Sequence, residues 1–509
     1  MIASAKIGVA AVVSALMMLA LVSPAAHAAT FEISPDDDLS VLDSLSPGDE
    51  VILSDGTFAI SSSLWIEVLG TEAEPVVVRA KNAGKAILQA APNEEAEYPN
   101  PLVRVRESAF VSLQGIVVQG DASWTTEEGQ YYGILVENSS DISITKSEIL
   151  ETGRHAVYLS GDNARVTIER TRIHDTFSGF GLYVGCSDAS CWTSELTLHN
   201  NWIHDIGGEG SIGVYLSHGT QGAVLTDNVI YAISQQGMFL GSTENGATNV
   251  VERNAIWSTT SSGIQVEGPA TLRNNLIFNI EGRGIRTRDP ERESGTFGDL
   301  IITSNTVVDT TDWAAELDGW EAAWQDGSGD LVLANNAFCN PIGYGVQVEL
   351  GGEDTALPEA PGIVTQNVVC GVVEGLDHLN GEVTPGGGFL DFLDAEGWSF
   401  YPGKGSVLLD VAATSADAWL PETDFNGFAR PVDRPDVGAY ERDTATNPGW
   451  PVQEGFKEFD LVVTNPQKFV GGCCDGEDEA ETKGTQALLL LPFLGMGALA
   501  RRRRSSRAR

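Results

Sequence analysis

The chain has 509 residues, 56 of them glycine, and a formal net charge of −41. That excess of acid argues against nucleic acid and anionic lipid as partners, because the field of the whole molecule repels both. It also opposes an acidic polysaccharide, unless a local basic patch or bound cations offset the field. Acidity for solubility outside the cell is the plain alternative.

Residues 1–28 read as a signal peptide. Lys6 precedes an apolar run from Ile7 to Val22, and Ala26-His27-Ala28 follows as a small-residue cleavage site. A membrane anchor is the alternative, which the shortness of the run disfavours. Without these residues and the tail from Cys473, the body keeps 22 basic and 66 acidic residues, a net −44.

Residues 30–140 are expected to form an N-terminal cap and the first turns of a stacked fold. Leu39 to Leu45 is a short amphipathic helix candidate, with Ser34 or Asp36 near its start. Pro47-Gly48-Asp49 is a turn, Glu50–Leu53 a strand, and Asp55-Gly56 a second turn. A capping helix would block open-edge pairing of a parallel stack. From 91 to 140 the strand runs are less regular, with a polar loop over 121–130.

Residues 141–371 repeat one short pattern. A β-type run leads to a polar anchor, an aliphatic residue two places on, a turn, a small residue and a second short strand. The anchors are Ser147, Thr171, Asn201, Asn228, Asn254, Asn275, Asn305, Asn336 and Asn367, spaced 24, 30, 27, 26, 21, 30, 31 and 31 residues apart. Such periods mark a stacked repeat architecture. The strands alternate aliphatic residues without helical spacing. Asn recurring at one corner fits an amide ladder between stacked coils. The pattern predicts an all-β chain, a right-handed parallel β-helix with a short N-terminal capping helix.

On these repeats the chain resembles the pectate-lyase-like superfamily of secreted β-helix proteins, over roughly residues 30 to 441. The phrases PGDEVILSDGTF and EPVVVRAKNAGKAIL resemble the opening coils of many β-helix polysaccharide lyases, whose non-enzymatic relatives open the same way. The resemblance implies a polysaccharide or a cell-envelope glycan as partner, and a monomer.

Aligning the units on their anchors gives columns of residues one strand spacing apart. Val157, Leu182, Val214, Met238, Ile264, Ile285, Ala315 and Val346 point inward, as does the column two residues on, from Leu159 to Val348. The residue between must point outward. That column reads Tyr158, Tyr183, Tyr215, Phe239, Gln265, Arg286, Glu316, Gln347. The four aromatics are either ring-stacking stabilisers or a platform for sugar rings, with Arg154 and His218 beside them as further candidate contacts. The loops Gly185–Trp192 and Ile206–Ser211 are candidate groove walls. Trp313, Trp320 and Trp324 either extend that side or share one face of a short helix.

A further column lies three residues after each anchor: Leu150, His174, His204, Tyr231, Trp257, Phe278, Val308, Cys339, Cys370. Its last two members predict a Cys339–Cys370 disulfide, since strand spacing suits the geometry, and Cys186 and Cys191 are expected to close a small loop. Free buried thiols are the alternative. His174-Asp175 and His204-Asp205 form tandem pairs. In a functional reading His is acid or base, and Asp175 and Asp205 orient it or ligate a cation. The bland reading makes the histidines packing residues and the aspartates turn residues.

Arg253, Arg273, Arg283, Arg286, Arg288 and Arg292 form a basic cluster. The resemblance to uronate lyases implies a Lys or Arg base, sometimes with Ca²⁺ as cofactor. Arg286 and Arg288 are thus candidate catalytic residues beside the aromatic column, with pairing to nearby acids such as Glu252, Glu267 and Glu281 as the alternative. Known motifs are incomplete. Family-six-type polysaccharide lyases carry Asn-Lys-Ser and Arg-His-Gly, where this chain has Thr145-Lys146-Ser147 and Arg154-His155-Ala156. Polygalacturonases carry Gly-His-Gly and an Asp-Asp pair. Here Ser217-His218-Gly219 stands alone, and the carboxylates of glycoside hydrolysis are not recognisable.

Residues 372–441 are expected to close the solenoid. The stretch from Asp424 to Glu441 resembles the terminal motif of many bacterial surface β-helix proteins and reads as a final turn and strand. Residues 442–472 are linker. In 473–509, Cys473-Cys474 precedes acidic residues, an apolar run from Ala487 to Ala500 and Arg501–Arg504. This resembles myxobacterial-type C-terminal sorting signals and implies export and sorting machinery as partners, cleavage near the cysteines and surface display. A permanent transmembrane anchor is the alternative. The expected function is an exported polysaccharide-engaging β-helix, lyase-like, or else a non-catalytic solenoid for glycan binding, adhesion or envelope architecture.

Overall fold

The computed structural model describes residues 28–91, 100–121, 131–186, 190–241, 247–288, 298–320, 329–348, 362–376 and 383–442. The chain divides into two compact units, Met1–Asn465 and Pro466–Arg509. All the described residues lie in the first. The signal-peptide and sorting readings, with Cys473 and Cys474, fall outside the described residues.

Each coil contributes three short strands that pair in parallel with those of its neighbours. The first ladder begins at Thr30–Ile33 and runs, coil after coil, to Gly362–Thr365 within a 15-stranded sheet. The second carries the strand after each anchor, such as Trp202–Ile206. The third carries the strand after each small residue, such as Val214–Leu216. The second and third merge into one 23-stranded sheet, because Ala337–Val348 runs through both. The fold is a right-handed parallel β-helix. The inward columns are fully buried, as Val157, Leu182, Val214, Met238 and Ile264 show.

The corners explain the anchors. The Asn201 amide donates to Asn228 Oδ1 at 2.9 Å and to the Ile168 carbonyl at 2.9 Å in the coil before. Asn228 does the same with Asn254, and the relay continues through Asn275, Asn305 and Asn336 to Asn367. Every amide in this file is fully buried, so each bond satisfies a group that water cannot reach. The residue just before each anchor is left-handed, from Lys146 and Arg170 to Asn335 and Gln366. A glycine starts many third-ladder strands for a steric reason. A Cβ on Gly213 would stand 2.5 Å from the Gly237 carbonyl oxygen of the next coil.

Two expectations are corrected. The helix expected over Leu39 to Leu45 is a 3-10 helix of six residues, Leu39–Ser44, and Asp38 rather than Ser34 or Asp36 caps it by accepting the Ser40 amide. The segment 436–441 is not a terminal strand of the stack. It lies sideways on the coils, with Gly438 N donating to the Asn335 carbonyl and Ala439 N to Thr306 Oγ1.

Residues 386–442 therefore wrap the outside of the later coils. Phe392, Phe400, Phe425 and Tyr440 form an apolar cluster with Trp257, Phe278, Val308 and Cys339 of the second ladder. Ala413 and Ala418 cover Ile301 and Val332 of the first. Arg430, fully buried, ties the wrap down. It donates to Glu441 Oε2 at 3.3 Å, Asn274 Oδ1 at 2.9 Å and the carbonyls of Asp436, Gly438 and Ala439.

Candidate functional site

The outward column of the third ladder has the expected register. Tyr158 pairs with Tyr183, Tyr183 with Tyr215, Tyr215 with Phe239, Phe239 with Gln265, Gln265 with Arg286 and Arg286 with Glu316. His155, with Tyr132 and Phe180, which sequence reasoning missed, completes the ring cluster. Tyr132, His155 and Phe180 each precede the small residue that starts a third-ladder strand, so they line the adjoining corner. Tyr132, His155, Phe180, Tyr215 and Phe239 make one near-parallel stack. Successive centroids lie 5.4, 4.9, 5.0 and 4.5 Å apart and the planes within 20°. Tyr158 and Tyr183 lean against it, at angles from 36° to 70°. The tyrosines are half-buried. Burial, with Arg154 nearby, pushes His155 down to about 3, and its Nδ1 accepts the Phe180 amide at 3.0 Å. Arg154 donates to the Tyr132 hydroxyl at 3.4 Å.

Two residues after these rings stand Ser160, Gly185, Ser217 and Gly241, of which Ser160 is half-buried and the other three are buried. The Cys186–Cys191 disulfide packs against the start of this column, its sulfurs near Ser160 and Gly161. Cys339–Cys370 joins adjacent coils at a Cα separation of 4.6 Å. His218 sits half-buried at the corner after Tyr215.

Beyond Phe239 the same face becomes ionic. Arg286 Nε lies 2.8 Å from Glu316 Oε2, which also holds Arg283 at 3.0 Å. Burial opposes the Arg286 charge, and the neighbouring Arg288 and Arg283 add to that opposition. Arg253 and Arg273 share Glu252 at a first-ladder corner, so the basic cluster is split between two faces. Trp313 and Trp320 are both buried, and Ala315–Leu317 between them is a strand, so they share no helix. Trp324 lies outside the described residues, as does Arg292.

His174 and His204 belong to the second ladder, a different face from the tyrosines. They stack at 4.8 Å and 8°, and the file continues through Tyr231 at 4.8 Å and Trp257 at 4.6 Å. Each His Nδ1 lies 2.7 Å from its own aspartate, Asp175 or Asp205, and both aspartates occupy left-handed corners. His174 Nε2 meets Glu148 at 3.1 Å, whereas His204 Nε2 is buried without a partner. Burial opposes the charge on His174, but bonds to Asp175 and Glu148 outweigh it and raise the group. Burial dominates at His204 and lowers it, aided by the charges of His174 and Arg172. Among the described residues no three His, Cys, Asp or Glu side chains converge as a metal-binding set. Nor is any helix among them long and apolar enough to cross a membrane.

A family model described as a right handed beta helix region matches residues 132–289. The curated "Uncharacterized protein YwoF" of Bacillus subtilis (strain 168) is 28% identical over 93 residues, 18% of this chain and 19% of the relative. The chain thus spans about a fifth of that relative's length. Among solved structures, pectate lyase Pel9A is 13% identical, with 81% of this chain and 96% of that one covered at a TM-score of 0.45. The A-module of mannuronan C-5 epimerase AlgE4 from Azotobacter vinelandii is 15% identical, covering 66% and 89% at 0.46. An alginate lyase from Paenibacillus sp. str. FPU-7 is 16% identical, covering 55% and 95% at 0.44.

Proposed function

We propose that this is an exported, surface-displayed β-helix of the pectate-lyase-like superfamily that binds a polysaccharide along its third ladder. The observation that carries the reading is the third-ladder ring cluster, in which Tyr158, Tyr183 and Tyr215 are half-buried beside the buried Phe239. Rings offer apolar surface to sugar C–H faces, and hydroxyl tips offer hydrogen bonds. The two disulfides fit folding in an oxidising compartment. Export at the signal peptide and attachment near Cys473 or Cys474 complete the proposal. Binding is favoured over lyase chemistry, because Arg286, the candidate base on this face, is held by Glu316.

Affinity gels loaded with neutral and uronate polysaccharides test this, with ultraviolet absorbance and reducing ends followed in parallel. Tyr183→Ala with Tyr215→Ala should weaken retention at least tenfold, on the order of 1.4 kcal/mol. Retention unchanged by both substitutions would refute the assignment.

A second reading has one observation in its favour. His174 and His204 have environments that push their proton affinities apart, as acid–base pairs do. Unsaturated or reducing products from any polymer, lost in His204→Gln, would establish that reading.

A further inference from the structure

The segment 386–442 lies on the coils without joining their ladders. Among the described residues its strand pairing is internal, Phe392–Asp394 with Ser399–Pro402 and Thr423 with Ala429. An apolar contact and polar bonds seat it. Phe392, Phe400, Phe425 and Tyr440 cluster with Trp257, Phe278 and Val308. Asn274 Nδ2 donates to the Thr423 carbonyl at 2.7 Å, and Asn335 Nδ2 to the Ala413 carbonyl at 3.1 Å. Such a seat can open while the ladders stay paired, because opening it breaks no ladder bond.

The bonds that close the segment on itself meet in one cluster. Asp424, Arg430, Asp436 and Glu441 are all buried. Arg430 Nη1 lies 3.3 Å from Glu441 Oε2, which also accepts the Asp436 amide at 2.9 Å. Asp424 Oδ2 accepts the Glu441 amide at 3.0 Å, and its Oδ1 accepts those of Asn426 and Phe428 at 2.9 Å. Asp436 Oδ1 accepts the Asp410 amide and Oδ2 the Arg442 amide, each at 2.7 Å. The charge of Asp410 acts on Asp436 as well. The Arg442 guanidinium is turned to the Pro402 carbonyl at 3.1 Å. From the coils, Asn274, Thr306 and Asn335 adjoin the cluster, and none of them is charged.

Three buried carboxylates therefore gather around the Arg430 guanidinium. Burial penalises their combined charge, and a proton on one of them relieves it. They compete for that proton unequally. Both oxygens of Asp424 and of Asp436 take backbone amides, so a proton on either displaces a bond. Burial, together with the charges of Asp436 and Asp424, pushes Glu441 up to about 7, and burial raises Asp436 too. The ordinary value for the Glu441 carboxyl, which it regains in water, is 4.5. The closed segment thus keeps a proton that the open one releases. That contribution is whole below about 4.5 and is lost as pH rises through about 7.

We propose that residues 386–442 form a proton-locked strap, with Glu441 as the group that holds the proton. The strap stays shut on the second ladder in acid and loosens toward neutral pH, uncovering the ring file at Trp257 and Phe278.

Hydrogen exchange on the full-length protein, in steps from about pH 5 to about pH 8, tests the lock. Protection factors are compared, so the pH dependence of the exchange chemistry divides out. The amides of Phe425, Val437 and Ala439 staple the strap. Their protection should fall at least about tenfold between pH 5 and pH 7 and then level off. The corner amides of Asn228 and Asn254 report on the coils and should keep theirs. Glu441→Gln keeps an oxygen for the Asp436 amide and for Arg430 but binds no proton, so it should lose most of the fall. A fall undiminished in Glu441→Gln would overturn the assignment. If that variant does not fold, the unsubstituted protein decides alone. Strap protection that is flat with pH, or that falls in step with the coil amides, overturns the lock.

Discussion

The ring files of the second and third ladders obey one local rule and end in different fates. In each, an outward residue lies over its equivalent one coil away. On the second ladder the file runs from His174 through Tyr231 and Trp257 to Phe278, where the chain covers it with its own later residues. Trp398 lies 5.1 Å and Phe400 4.8 Å from Phe278. On the third ladder the file stops at Phe239 against Gln265, and the rings before it stay half-exposed. A stacked aromatic column in a solenoid is therefore not by itself a binding surface. What distinguishes the two is whether another part of the chain is seated on it.

The largest expected effect comes from uncovering the second ladder. Arg430 is surrounded by the carboxylates of Asp424, Asp436 and Glu441, and burial pushes Glu441 up to about 7. Arg430→Met would leave these acids buried without their cation, at a cost of roughly 3–5 kcal/mol. Limited proteolysis should then cut within 386–442 before the coils unfold. Simultaneous loss of segment and coils would show that the cover is part of the stack, and the contrast between the ladders would fail. Smaller but shared by both faces is the effect of Asn254→Ala. Asn254 Oδ1 accepts the Asn228 amide, and its Nδ2 reaches the Leu225 carbonyl. Groups left unpaired there should cost about 2–4 kcal/mol in denaturant unfolding.

The difference between these two substitutions also marks what the sequence could show. Asn254 announces itself, because its equivalents recur at every coil and each bonds the next. The registers of Tyr158 through Glu316 and the pairing of Cys339 with Cys370 follow from the same period. Arg430 has no such signal. Its partner Asn274 lies 156 residues away, and one contact at that distance leaves no periodic trace. The left-handed corners were hidden for another reason. Lysine and arginine occupy them at 146, 170 and 253 as readily as the asparagine and aspartate that favour that conformation. The separation of His174 and His204 from the tyrosines was hidden too. Residues close in a repeat can face different sides of a coil, and the column alignment does not state the angle between ladders.

The finest distinction is within the second ladder, between the ring pair that titrates and the rings that do not. Tyr231, Trp257 and Phe278 carry no charge through neutral pH, so only His174 and His204 make this file respond to acid and base. The unfolded histidine titrates near 6.5. His204 is lowered in the folded protein, so its contribution is present above that value and is lost as pH falls through its folded value. His174 is raised, so its contribution is present below that value and is lost as pH rises through its own. The pair should give a stability maximum between two limbs. His204→Phe should keep the stack, since phenylalanine occupies the same column at Phe278, and should flatten the acid limb alone. His174→Phe should flatten the alkaline limb, although it takes its imidazole partner from the half-buried Glu148 and lowers stability throughout. Melting temperatures across pH 5 to pH 8, at low and high salt, distinguish the two limbs. Parallel curves for the unsubstituted protein and His204→Phe would mean that His204 binds its proton equally well folded and unfolded, and the contrast between these neighbouring coils would disappear.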